Sequence, residues 1–170
     1  MKKIGIDLGG HTIAAGSVDF FGAAPQVLSA VTVPTPENRD LLSVIHALEE
    51  LILLWAAPGD ECFVGIGIPG FVDSERRRIL RLTNFVGCDG VLLGKIISAN
   101  LKARGVRVDV RLENDANCAA LGEGLAGAAR GMRDYVVLTL GTGIGAGIVA
   151  NGRLLTGAHG MAAECGHMAV

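Results

Sequence analysis

Asn114-Asp115 is the pair on which chemistry could be built. A β-branched run, Val108-Asp109-Val110-Arg111-Leu112-Glu113, ends there, and a run of small apolar residues with helical character begins at Ala116. A helix N-terminus wants a short polar cap, and both residues qualify. The same corner keeps a carboxylate ionised, because helix-end N–H groups stabilise negative charge. Asp115 therefore reads either as a plain cap or as a charged group with a chemical task.

Two glycine-rich loops could hold phosphate. Gly9-Gly10-His11-Thr12 follows a strand whose end presents Asp7, and Gly141-Thr142-Gly143-Ile144-Gly145-Ala146-Gly147 follows another. Glycines let the backbone approach an anion, with N–H groups and a hydroxyl as donors. Neither loop is a P-loop, since no G-K-[S/T] ending occurs, and the second has neither the spacing nor the following helix of a dinucleotide fingerprint. Each alone is equally a tight turn. Together they suggest a nucleotide held between two related lobes. Asp7 would then face phosphates, which requires an intervening cation such as Mg²⁺ held partly through water; otherwise it is a turn-forming residue. Glu164 and His167, three apart, converge on one small molecule or metal, or are two exposed loop residues. Two ligands do not make a zinc site.

These residues need elements to carry them. Strands are expected over 3–8, 12–18 and 26–33, the first two joined as a hairpin. Leu41, Val44, Ile45, Leu48, Leu51, Ile52 and Trp55 have helical spacing over 40–55, stopped by Pro58-Gly59. His46 falls off that stripe and reads as a surface residue. A strand over 62–68 ends in Pro69-Gly70, and Glu75-Arg76-Arg77-Arg78 reads as a solvated turn. A second amphipathic helix covers 91–104, with Leu92, Leu93, Ile96, Ile97 and Leu101 inward and Gly105 as its stop. A strand over 106–112 and a helix over 115–126 follow. Strands over 134–140 and 144–150, then the Asn151-Gly152 turn, complete a mixed α/β layer structure. The hairpins near residues 9 and 142 resemble each other, which reads as an internal duplication opening a second domain.

Composition narrows the classes. A length of 170 suggests one domain or one domain and part of another. Half the residues are hydrophobic and 25 are glycine, so a sizeable core with many tight turns is expected. A net charge of −2 without a basic block argues against a nucleic-acid partner. Cys62, Cys88, Cys118 and Cys165 are widely spaced, as in a reduced cytoplasmic protein. No targeting segment and no apolar run long enough to span a bilayer is visible, so a soluble, cytoplasmic protein without membrane contact is expected.

The segments Ile4-Gly5-Ile6-Asp7-Leu8-Gly9-Gly10, Gly65-Ile66-Gly67-Ile68-Pro69-Gly70, Glu113-Asn114-Asp115-Ala116-Asn117 and Leu140-Gly141-Thr142-Gly143-Ile144-Gly145 together resemble the ROK family of bacterial sugar kinases and sugar-responsive repressors. Asn151-Gly152, Thr156-Gly157-Ala158-His159-Gly160 and Glu164-Cys165-Gly166-His167 extend the match in order. The resemblance implies a ribonuclease-H-like, actin-like ATPase fold of two lobes. Residues 1–113 would form the complete first lobe, and 114–170 the linking helix and beginning of a truncated second.

The resemblance also implies ATP-dependent phosphorylation of a hexose, glucose or a related sugar. Asp115 would be the general base, and Gly70, Asn84, Asn114, Asp115, Glu164 and His167 would hold the sugar. Asp7, Gly9, Gly10, His11, Thr12, Gly141, Thr142 and Gly143 would hold ATP, with Mg²⁺ reached from Asp7 through water. Relatives have Thr-Lys where His11-Thr12 stands, and a tryptophan where Cys88 stands. They continue into a cysteine-rich zinc loop, in which the counterpart of His167 is a ligand; the three cysteine partners are not in this sequence, so Zn²⁺ is expected only of a full-length protein. The resemblance allows a homodimer. Two other readings are a transcriptional regulator of the same family, disfavoured because the first strand begins at Lys3, and a sugar-binding fragment without turnover.

Overall fold

The computed structural model describes residues 1–22, 24–141 and 143–168. In chain order the first elements are β1 (Lys2–Leu8), β2 (Thr12–Asp19), β3 (Gln26–Pro34), α1 (Leu41–Leu53) and β4 (Glu61–Ile68). They are followed by β5 (Gly70–Val72), β6 (Ile79–Leu82), α2 (Leu93–Ala103), β7 (Arg107–Asn114) and α3 (Asp115–Ala126). Last come β8 (Tyr135–Leu140), β9 (Ile144–Ala150), β10 (Arg153–Leu154) and a 3₁₀ turn, Cys165–His167.

Five strands form one sheet in the order β3-β2-β1-β4-β7. β1, β2 and β3 are antiparallel neighbours, whereas β4 and β7 run parallel to β1. Alternation along the strands buries Ile4, Ile6, Leu8, Val64, Ile66, Ile68, Val110 and Leu112. Their core cluster takes in Val44, Leu48 and Ile52 from α1 and Leu93, Ile97 and Leu101 from α2. The start of α1 is set by Asp40, whose Oδ1 accepts from the Ser43 N–H at 2.9 Å. The alternate residues Lys3, Gly5 and Asp7 of β1 and Phe63, Gly65 and Gly67 of β4 face the other way. A hollow of about 380 Å³ opens there around Gly5 and Gly65, walled by Lys3, Val18, Phe20 and Phe63.

Two expectations need correction. β5 and β6 pair as an antiparallel hairpin where no strand was expected; three and four residues are too few to show a period. The run Glu75-Arg76-Arg77-Arg78 is not a free solvated turn. Arg77 Nη2 lies 2.8 Å from Asp109 Oδ1, Arg78 Nη1 donates to the Gly90 carbonyl, and Arg76 pairs with Glu113. The Leu112 N–H also donates to the Arg76 carbonyl at 2.8 Å. The acceptors lie on β7 and just before α2, far along the chain, so adjacency in sequence gave no sign of them.

Beyond β7 the strands β8, β9 and β10 form a second sheet in the order β10-β9-β8, which repeats the order β3-β2-β1. α3 rests on this sheet through small residues. A Cβ at Gly145 would sit 3.1 Å from the Ala116 Cβ, and one at Gly147 would sit 2.6 Å from the Ala116 carbonyl oxygen. The Tyr135 hydroxyl donates to the Ala120 carbonyl at 3.0 Å, halfway along the helix. Val136, Leu138 and Leu140 on β8 are more than half exposed. Among the described residues no helix is long and apolar enough to cross a membrane.

Gly147→Ala should force α3 and β9 apart and destabilise the chain by about 1–3 kcal/mol, the usual cost of overpacking. Urea unfolding of the variant measures this, and an unchanged midpoint would show that the helix does not depend on the close approach.

Candidate active site

Three parallel strands end side by side beneath α3. Asp7 of β1 lies opposite Gly67 of β4, and Gly67 lies opposite Glu113 of β7. The carboxyl ends of parallel strands are where open α/β sheets place their ligands. α3 packs against Gly67 at ordinary contact distance, since a Cβ there would stand 3.4 Å from Cys118 Sγ and 3.7 Å from the Asp115 Cα.

The helix start separates two duties that the sequence left joined. Asn114 is the cap: its backbone is extended, and its Oδ1 accepts from the Asn117 N–H at 3.1 Å. Asp115 is the first helical residue, and its Oδ1 accepts only from the adjoining Ala116 N–H at 2.8 Å among the side-chain bonds described. Its carboxyl is pushed above the ordinary carboxylate range by burial, against the lowering effect of the Ala116 and Asp115 N–H groups. Asp7 is pushed up as well, first by burial and then by the charge of Asp115. The two carboxylates therefore share one electrostatic site. Cys118, on the next turn, has its thiol pushed up to about 12 by burial, with the charges of Glu113, Asp7 and Asp115 adding to the effect. It is thus held as the neutral thiol, not as a nucleophile.

Asn114 also reaches sideways. Its Nδ2 donates to the Gly70 carbonyl at 3.2 Å. With Oδ1 engaged in the cap, one N–H remains for a ligand hydroxyl. Gly70 pairs with Leu82 across the β5–β6 hairpin, and a Cβ at Gly70 would collide with the backbone of Arg81. Asn84, two residues past Leu82, is exposed with φ +66°. Gly70, Asn84 and Asn114 are thus carried on adjoining elements. A cavity of about 110 Å³ lies beside them, lined by Val72, Asp73, Arg76, Glu113, Thr156 and Gly160 among others.

The two glycine loops both close hairpins. The Gly9 N–H donates to the Thr12 carbonyl at 3.0 Å, and the Thr35 hydroxyl to the Gly9 carbonyl at 2.7 Å, leaving His11 and Thr12 exposed. Gly10 between them is partly exposed. In the second loop the Gly141 N–H donates to the Gly143 carbonyl at 2.9 Å, and both residues are exposed; Thr142 lies outside the described residues. Gly145 and Gly147 serve helix packing instead. Glu164 and His167 come together at the 3₁₀ turn, with His167 Nδ1 3.2 Å from Glu164 Oε2. A Cβ at Gly166 would strike the Ile144 carbonyl, so this turn abuts the start of β9.

Among the described residues no group of three or more His, Cys, Asp and Glu is arranged to hold a metal. Asp7 and Asp115 are coupled electrostatically. The described residues give no set of zinc partners for His167. Sequence reasoning missed Gly67, Arg76 and the task of Asn117, a buried residue whose Nδ2 donates to Glu113 Oε1 at 3.0 Å.

The profile of the ROK family matches residues 3–170. A glucokinase of Thermotoga maritima is 41% identical over 170 residues, spanning 100% of this chain and 51% of that protein. An N-acetyl-D-glucosamine kinase of Shigella flexneri is 37% identical over 169 residues, spanning 96% and 51%. The crystal structure of a ROK family glucokinase from Streptomyces griseus, in complex with glucose and AMPPNP, superposes with a TM-score of 0.83 at 35% identity. It is matched over 100% of this chain and 51% of that one. The chain thus spans about half the length of the relatives it matches, and its mixed α/β fold is the actin-like ATPase first lobe of these kinases, continued into the next elements. With a match from Lys3 to the last residue, the chain belongs to the ROK family.

Proposed function

We propose that the protein to which these residues belong transfers the γ-phosphoryl group of ATP to a hydroxyl of a hexose, glucose or a related sugar. The observation that carries this is Asp115: a carboxylate freed from capping by Asn114, open to solvent yet partly desolvated and so made more basic, and set at the strand ends of a sheet shared with kinases. Support for the substrate class comes from the glucokinase and N-acetyl-D-glucosamine kinase relatives. The Streptomyces griseus enzyme binds glucose and an ATP analogue.

In this reading the sugar lies against Gly70, Asn84 and Asn114, with Glu164 and His167 engaging other ring hydroxyls. Asp115 takes the proton of the attacking hydroxyl as its oxygen bonds to the γ-phosphorus, and the bond to the ADP oxygen breaks. Gly9, Gly10, His11, Thr12, Gly141, Thr142 and Gly143 cradle the phosphates. Mg²⁺, held through water at Asp7, would offset the negative charge of the triphosphate. Positioning and charge neutralisation supply most of the rate in such a transfer, so closure over the sugar belongs to the mechanism. Residues 1–113 are proposed as the first lobe and 114–170 as the linking helix and beginning of the second.

A coupled assay of the full-length gene product over a panel of hexoses and amino-sugars should show ATP-dependent phosphorylation. Asp115→Asn should lower kcat by about 10²–10⁴-fold, the range of a lost general base; a variant with normal turnover rejects Asp115 in that role.

The raised carboxyl of Asp115 has two measurable consequences. The acid limb of kcat/KM should lie above the ordinary carboxylate range, because the base works only when ionised. A carboxyl whose pKa is raised by folding stabilises the fold fully below its unfolded pKa, and that contribution is lost as pH rises through the folded value. Asp115→Asn should therefore raise the Tm at pH 7 relative to wild type and lose that advantage near pH 4. A lower Tm at pH 7 would contradict the assignment of burial as the dominant cause.

A further inference from the structure

We propose that Glu113, clamped by Arg76, is a positioning residue that aims Asp115. The inference rests on the sugar-kinase reading and adds to that site a pair to which the motifs attach no role.

Glu113 is 8% exposed. Its Oε1 accepts from the Asn114 N–H and from Asn117 Nδ2, each at 3.0 Å, and its Oε2 meets Arg76 Nη1. The Asn117 N–H closes the ring on Asn114 Oδ1. Hydrogen bonds from one carboxylate thus grip the residue before Asp115 and the residue two after it. Oδ1 of Asp115 accepts from the Ala116 N–H, which ties the carboxylate to the same helix start. A carboxylate engaged by a guanidinium and two N–H donors is held more stiffly than a neutral acceptor would be.

Arg76 supplies the other half. It has φ +58°, a conformation that side-chain-bearing residues seldom adopt and that persists where surrounding contacts enforce it. Those contacts are the turn built on Asp73, which accepts from the N–H groups of Arg76, Arg77 and Arg78, together with the ion pair with Glu113 and the bond from the Leu112 N–H to the Arg76 carbonyl. The hairpin bearing Arg76 also offers the Gly70 carbonyl to Asn114. The β5–β6 segment therefore holds the corner at two points, one below Asp115 and one beside it. Partly buried ion pairs are a weak source of stability, so orientation is the better account of a strained arginine at this spot.

The test uses the full-length protein with glucose and ATP, and the variants Glu113→Gln, Arg76→Met, Arg76→Lys and the double variant Glu113→Gln/Arg76→Met. Each of the first two should lower kcat by about tenfold to a hundredfold, the scale of a small misplacement of a reacting group. The KM for ATP should stay within about twofold, because the pair does not touch phosphate. Arg76→Lys should recover most of the rate. The double variant should be no slower than the slower single one, since the two act as a unit. Unchanged kcat with a lowered Tm would make the pair merely structural and overturn the proposal, as would single effects that multiply. Should Glu113→Gln fail to fold, as circular dichroism would show, the two Arg76 variants decide on the same criteria. A wild-type protein that phosphorylates no sugar in the panel rejects the kinase reading instead, before any variant is compared.

Discussion

The site depends on three parallel strands that end side by side beneath the first turn of a helix. Asp7, Gly67 and Glu113 lie in one row across β1, β4 and β7. A side chain at the middle position would meet Cys118 and the Asp115 backbone. α3 lies on this row, and its first residue shares an electrostatic site with Asp7. Crowding two carboxylates raises the free energy of the folded chain, which is the usual condition of a site prepared for a cationic or proton-bearing ligand.

Small side chains line the other side of α3. Ala116 and Ala120 meet Gly145 and Gly147, so β9 approaches the helix closely. The helix is therefore held between two sheets by small contacts, with Tyr135 as its one large anchor on the second sheet. Small-residue contacts permit close approach and sliding more readily than interlocked large side chains do. A proposed base placed at the head of such a helix is rigid locally, through the Glu113–Asn117–Asn114 ring, while the body of the helix rests on smooth surfaces.

Capping and ligand binding divide Asn114 between them. Its oxygen holds the helix and its nitrogen holds the Gly70 carbonyl, so at most one N–H points elsewhere. That limit bears on how a sugar would be recognised: Asn114 can donate to one hydroxyl, and its Oδ1 keeps one lone pair beyond the cap. Asp115 and Glu164 are the proposed carboxylate acceptors.

Periodicity and turn chemistry were enough for the main elements. The alternation of Ile4, Ile6 and Leu8, the stripe from Leu41 to Ile52 and the Asn114-Asp115 corner each appear where local preference puts them, because burial of one face sets their spacing. The family motifs named the residues whose roles are proposed. The short β5–β6 hairpin was hidden, since it is held by pairing and not by a pattern of its own. Arg76, Arg77 and Arg78 looked like a solvated turn because charge in sequence says nothing of the carboxylates on β7 that meet it. Sequence by itself determined which segments are strands and helices and which residue types stand at their ends. Only the tertiary structure decided that Asp7 and Asp115 face each other across Gly67 and that Glu113 and Arg76 stand behind them. Electrostatic coupling depends on distance in space, and local spacing along a chain does not contain it.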